Sequence, residues 1–123
     1  MKPEIRTLQQ RLIRIFSAFV YSSKGFLAAW RHEAAFRDEL VVSLALIAVA
    51  IMSSVTLYEK TCLILSLIAV LVVELLNSAI EAVVDLVAPQ YHELAGRAKD
   101  LGSAAVLLAI ICAATTWGVI FLR

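Results

Sequence analysis

The chain has 123 residues, 62% of them hydrophobic, with eleven Lys and Arg against ten Asp and Glu for a formal net charge of +1. Such a composition lies well above the about 45–50% apolar content of soluble domains. The near-neutral balance, with no basic cluster interleaved with aromatics, gives no basis for a nucleic-acid partner. This length supports a single domain, residues 1–123, for which a bilayer supplies much of the apolar environment. Cys62 and Cys112 lie in apolar runs with no His or second Cys at ligand spacing, so they read as small buried hydrophobes. Arg6, Arg11 and Arg14 interrupt any apolar run resembling a cleavable signal peptide.

Residues 5–37 read as an amphipathic surface helix. Ile5, Leu8, Leu12, Ile15, Phe16 and Phe19 recur at a helical period, with Arg6, Gln10, Arg14 and Ser17 on the other side. A basic amphipathic helix of this kind lies on an anionic membrane surface. Gly25 weakens it, after which FLAAWRHEAAFRDE resumes the pattern with Trp30 as an interface anchor. The first spanning candidate, LVVSLALIAVAIMSSVTLY at 40–58, is uncharged and long enough for a hydrocarbon core of ~30 Å. Glu59 and Lys60 then make a very short turn. A second span covers 61–84, with Pro89 ending the reach of its helix. The charged stretch HELAGRAKD, 92–100, has a helix-compatible composition. The third span runs over 101–122, where Gly102, Ala105, Ala109 and Ala113 form a small-residue face suited to close helix packing. The expected fold is an all-α membrane protein with one surface helix and three transmembrane helices.

Two glutamates interrupt the second span, Glu74 and Glu81. An ionised carboxylate at the centre of such a helix costs roughly 2.5–3.5 kcal/mol, so it faces a protein interior or a wet cavity. At about 100° per residue, Glu74, Asn77, Ser78, Glu81 and Asp85 fall within an arc of roughly 100°. Leu76 and Val83 take the opposite face. The alternative is a polar seam that joins helices. Asn and Ser suit that role, but two carboxylates with no Lys or Arg between them suit it badly.

Basic residues set the topology. The segment before the first span holds Lys2, Arg6, Arg11, Arg14, Lys24, Arg31 and Arg37, the 85–100 loop holds Arg97 and Lys99, and the 59–60 turn has only Lys60. The N-terminal segment and the 85–100 loop are therefore expected to be cytoplasmic. That orientation gathers Glu33, Asp38, Glu39, Glu81, Asp85, Arg97, Lys99 and Asp100 at one surface, with Glu74 roughly 10 Å deeper than Glu81. Carboxylates at the aqueous level suit Mg²⁺, which binds through one or two of them plus substrate phosphates. A deeper, partly desolvated carboxylate suits removal of a proton from a membrane-embedded hydroxyl. Together they meet the needs of phosphoryl transfer, a base and an electrostatic clamp. Blander roles remain for some residues: Arg97, Lys99 and Asp100 as a solvated helix face, His92 as a surface or capping residue, and Tyr21 and Trp30 as interface anchors. With no Walker-type loop and no protein-kinase signature, any nucleotide chemistry here uses another phosphate cradle.

ELLNSAIEAVVD (74–85) followed by YHELAGRAKDLGSAAV (91–106) closely resembles the small integral-membrane prokaryotic diacylglycerol kinases. YSSKGFLAAW and EAAFRDE extend the likeness upstream to about Arg14, and the residues before that match little. The resemblance implies a homotrimer in the bacterial inner membrane with active sites shared between subunits. It also implies transfer of the γ-phosphate of MgATP to the hydroxyl of diacylglycerol, giving phosphatidic acid. By motif position, Glu74 resembles the general base, and Glu33 and Glu81 the metal-binding carboxylates that also contact ATP. Arg14, Tyr21, Gln90, Tyr91, His92, Lys99 and Asp100 resemble ATP-contacting positions. Ala35, Phe36, Arg37, Asp38, Glu39 and Ser103 resemble contacts to the lipid substrate, as does Glu74 itself. Asn77 resembles the polar residue beside the base, and Asp85 supports the same face. Asp38 departs from the pattern, standing where an amide is usual.

Two rival functions bear weighing. An undecaprenol kinase would share the NSAIE core, but the continuous YHELAGRAKD segment looks more like the diacylglycerol enzymes. A small proton-coupled transporter would also place a glutamate in the membrane. Such a protein more usually has four spans and a lone membrane acid.

Overall fold

In the computed structural model, which describes residues 7–123, Thr7 opens the first helix with a capping box. Its hydroxyl accepts from the Gln10 N–H at 3.4 Å, and Gln10 Oε1 accepts from the Thr7 N–H at 3.0 Å. Helix α1 then runs unbroken over Leu8–His32. Gly25 does not interrupt it: one glycine costs about 1 kcal/mol in a helix interior, less than the surrounding turns supply. The expected first turn at Ile5 and Arg6 lies outside the described residues.

The break comes at Glu33, the single residue between α1 and α2 (Ala34–Met52), with φ −109° and ψ 106°. The surface helix expected through residue 37 is thus cut short. Arg37 stabilises the cut, donating from Nη1 to the carbonyls of Trp30 at 3.1 Å and Arg31 at 3.3 Å. A cation on the last carbonyls of a helix satisfies orphan acceptors and opposes the helix dipole. Phe36 beside it is fully buried.

The uncharged run 40–58 is not one helix either. Helix α2 stops at Met52, residues 53–56 form a turn, and α3 (Leu57–Val87) begins before the expected Glu59–Lys60 turn. The reason is a second capping box, Thr56-Leu57-Tyr58-Glu59. Glu59 Oε2 accepts from the Thr56 N–H and hydroxyl, both at 2.8 Å, and Thr56 Oγ1 accepts from the Glu59 N–H at 3.3 Å. Lys60 reaches back to the Ile51 carbonyl at 2.7 Å, closing the end of α2. Arg123 at the far end of the chain pairs with Glu59. Thr56→Ala is expected to cost about 0.5–2 kcal/mol of stability, measured as an earlier thermal unfolding in detergent.

Helix α3 ends at Val87, where the N–H of Ala88 caps the Val84 carbonyl at 2.8 Å and Pro89 blocks continuation. Helix α4 (Glu93–Phe121) begins at the His92 cap, whose Nδ1 accepts from the Leu94 N–H at 3.2 Å. The charged stretch and the third expected span are therefore one continuous helix, and the 85–100 loop contracts to residues 88–92.

Helix α3 is central, with α2 and α4 packed against it. Leu63, Leu67, Val70, Glu74 and Asn77 line its buried face, met by Ala50 and Ser43 from α2 and by Gly102 and Ala113 from α4. Ala105 is exposed, so the small-residue face of α4 is only partly used within the chain, and Cys112 is exposed rather than buried. Large apolar side chains cover much of the outside, among them Leu65, Val72, Leu76, Leu107 and Leu108. That surface needs lipid or other helices around it. Among the described residues, three helices are long and apolar enough to cross a membrane, α3 and α4 and, marginally, α1. Helix α2 has 19 residues and carries Arg37, Asp38 and Glu39 near its start.

Candidate active site

The antiparallel course of α2, α3 and α4 brings the start of α2, the last turns of α3 and the start of α4 to one end of the bundle. Four carboxylates collect there. Glu74 is 5% exposed on the buried face of α3. Glu33, Glu39 and Glu81 all lie within electrostatic reach of it. Among the described residues, none of the four has a basic partner at ion-pair distance; the ion pairs are Lys99–Asp85 and Arg123–Glu59. A group of like charges beside a membrane core is repulsive unless a cation joins it.

Each carboxylate is presented by a different device. Glu33 occupies the extended residue between two helices, with no side-chain cap bond, so its oxygens stay available. Glu81 is half-buried and accepts from Asn77 Nδ2 at 3.2 Å, which leaves its other oxygen free. Glu39 is half-buried, one oxygen being enclosed without a hydrogen-bond partner among the described residues. Among those residues no group of three or more His, Cys, Asp or Glu forms a cage for a metal ion. A Mg²⁺ arriving with nucleotide phosphates does not need one, because two carboxylates and phosphate oxygens complete its shell. Glu33 and Glu81 fit that demand in number and in donor chemistry.

Lys99 and Asp85 tie α4 to α3 at 2.6 Å beside this cluster, with side chains 40% and 66% exposed. So open a pair adds little to stability, and its interest is positional. The bond to Asp85 holds the Lys99 ammonium above its usual range, so it remains a cation with two N–H donors to spare.

Two clefts open onto the cluster. One, of about 640 Å³, lies between α1 and α3 and is lined by Ser22, Ala29, His32, Glu33, Ser78 and Ala82 among others. The other, of about 360 Å³, runs between α2 and α4 over α3, from Asp38 and Glu39 past Val70 and Ala113 to Trp117. In this second, largely apolar groove, Glu39 Oε2 and Trp117 Nε1 are enclosed without partners among the described residues.

The remaining residues singled out by sequence are placed differently. Ala35 and Asp38 are exposed at the start of α2, whereas Phe36 is in the core and Arg37 is engaged with the carbonyls of α1. His92 caps α4, the blander of its two readings. Arg14, Tyr21, Gln90, Tyr91, Asp100 and Ser103 are exposed, and none makes a side-chain hydrogen bond or ion pair with the four carboxylates. Tyr21 instead lies under Lys24, whose Nζ is 5.9 Å from the ring centre. Gly102, expected only to pack helices together, abuts the Asn77 side chain through its backbone. Its place between Asp100 and Ser103, two candidate site positions, was the available signal.

The family model described as prokaryotic diacylglycerol kinase matches residues 20–121. A diacylglycerol kinase of Escherichia coli (strain K12) is 55% identical over 104 residues, covering 85% of each chain. One from Pseudomonas aeruginosa is 45% identical over 122 residues, covering 99% of each chain, and one from Haemophilus influenzae is 39% identical over 107 residues, covering 87% of this chain and 91% of the relative. With a match over most of its length, three long apolar helices and a carboxylate cluster at one end of the bundle, the chain belongs to the prokaryotic diacylglycerol kinase family.

Proposed function

We propose that the protein transfers the γ-phosphate of MgATP to the hydroxyl of diacylglycerol, giving phosphatidic acid, with Glu74 as the general base. The observation that carries the reading is the set of four carboxylates without a basic partner among the described residues, one of them buried on the inner face of α3. A reaction that brings its own cation and takes a proton from a hydroxyl beside the buried carboxylate makes use of both properties. Family membership favours the kinase over the transporter, and the relatives described above are named for diacylglycerol rather than undecaprenol.

In this reading α2, α3 and α4 cross the inner membrane and α1 lies along its cytoplasmic surface. Helix α1 is the most polar of the four and is joined to α2 by a single extended residue. The connection 88–92 and the start of α4 are then cytoplasmic, in keeping with Arg97 and Lys99. Glu33 and Glu81 would hold the Mg²⁺ of MgATP, which when bound neutralises charge developing on the phosphates. Glu74 accepts the proton of the lipid hydroxyl as the oxygen attacks the γ-phosphorus and the bond to ADP breaks. Asn77 orients Glu81, and Lys99 offers its two remaining donors to phosphate oxygens. The groove between α2 and α4 suits an acyl chain, with Glu39 at its end by the cluster supplying a polar contact for a glycerol oxygen. The site is completed within a homotrimer.

The decisive assay presents purified protein with diacylglycerol or undecaprenol, labelled ATP and Mg²⁺. Labelled phosphatidic acid is the expected product. Labelling of undecaprenol alone would favour the sibling reaction, and no lipid-dependent ATP consumption would overturn the kinase reading.

A further inference from the structure

We infer that Gly102 is a positioning residue for Glu81, acting through Asn77; this inference rests on the reading of Glu81 as a metal ligand given above. Asn77 stands on the buried face of α3 and is 9% exposed. An ionised carboxylate only accepts hydrogen bonds, so the Asn77 amide must turn its Nδ2 toward Glu81, the bond seen at 3.2 Å. That orientation sends Oδ1 the other way, toward α4. There Oδ1 is enclosed with no conventional hydrogen-bond partner among the described residues. What it meets is Gly102, itself buried. A Cβ placed on Gly102 would overlap Asn77 Oδ1, with Asn77 Cγ next at 3.3 Å.

The space for the Asn77 amide therefore exists because residue 102 has no side chain. The α-hydrogen standing where a Cβ would be points at Oδ1, a weak C–H···O contact of the kind found where helices approach closely. Glycine in the middle of a helix is conformationally costly, and Gly102 has an ordinary helical φ, so backbone freedom does not explain it. At Gly25, Gly96 and Gly118 an added Cβ would meet nothing within 4 Å, which sets Gly102 apart. An alanine there must push the amide aside, and the hydrogen bond that the amide makes is the one to Glu81. The chain of dependence runs from α4 backbone to Asn77 to the carboxylate.

The test compares Gly102→Ala, Asn77→Ala, the double variant and Glu81→Gln. Three quantities are read: activity against Mg²⁺ concentration, thermal unfolding, and the Asn77 side-chain amide resonance in the metal-free protein, assigned by its loss in Asn77→Asp. Gly102→Ala is expected to raise the Mg²⁺ requirement by about 10–100-fold, the range for removing a partner of a metal ligand. It should also shift the Asn77 resonance. The double variant should be no worse than Asn77→Ala alone, because the shorter side chain leaves room for the new methyl group. A Gly102→Ala protein with unchanged Mg²⁺ dependence and an unmoved resonance would overturn the inference, as would effects that multiply in the double variant. If Gly102→Ala does not fold, the double variant decides: folding with the behaviour of Asn77→Ala supports the inference, and a second failure to fold assigns Gly102 to general helix packing and overturns it. An unchanged Mg²⁺ dependence in Glu81→Gln would remove the metal role of Glu81 separately, while the resonance still reports whether Gly102 positions Asn77.

Discussion

Glu74→Gln is expected to lower kcat by about 10²–10⁴, the usual contribution of general acid–base catalysis, with little change in the apparent affinity for MgATP. The substitution preserves shape and removes basicity. Its effect on stability separates the two roles open to this residue. Glu74 is buried, lies near Glu33, Glu39 and Glu81, and has no basic partner among the described residues. Its ionised form is therefore a cost to the fold, and Gln should unfold at the same temperature as Glu or higher. A residue that merely joined helices would lose stability and activity together. Retention of more than about half the activity would sink the assignment of Glu74 as the base. A lower unfolding temperature with a proportionate loss of activity would favour the joining role.

Helix content and the acidic face of α3 were legible in the sequence because they depend on periodicity and on the high cost of membrane charge. Helix ends were less so. The uncharged run 40–58 hid a break, since hydropathy does not distinguish a turn made of Ser53, Ser54 and Thr56 from a span that contains them. The four residues Thr56-Leu57-Tyr58-Glu59 spelled a capping box all the same, and reading them would have placed the start of α3. The break at Glu33 carried no such local signature. It is made by Arg37 and Phe36, whose contacts with α1 and the core exist only after the chain has folded. The role of Gly102 was hidden for a similar reason: a glycine in an apolar helix reads as a packing residue until the atom that occupies its missing side-chain space is known.

Two inactive variants should restore activity to one another when their subunits are mixed. The four carboxylates gather within one chain, yet Asp100 is exposed on α4 and makes no side-chain hydrogen bond or ion pair with them. An Asp100 that contacts ATP is therefore expected to serve a site built on a neighbouring copy. The apolar surfaces left uncovered on α3 and α4, including Leu76, Val83, Leu107 and Leu108, offer room for such a neighbour. Glu74→Gln alone and Asp100→Asn alone are each expected to be nearly inactive. Co-refolding the two in detergent forms mixed oligomers in which some sites combine an intact Glu74 from one chain with an intact Asp100 from another. Those sites are fully equipped, while an adjoining site carries both defects. Activity well above that of either variant, appearing only after the subunits have been unfolded and mixed, is the expected result. Simple mixing of the folded variants should give none, which controls for contamination and for slow exchange. Cross-linking that demonstrates mixed oligomers without any recovery would place both residues of a site in one chain, and the site would then be complete without a partner.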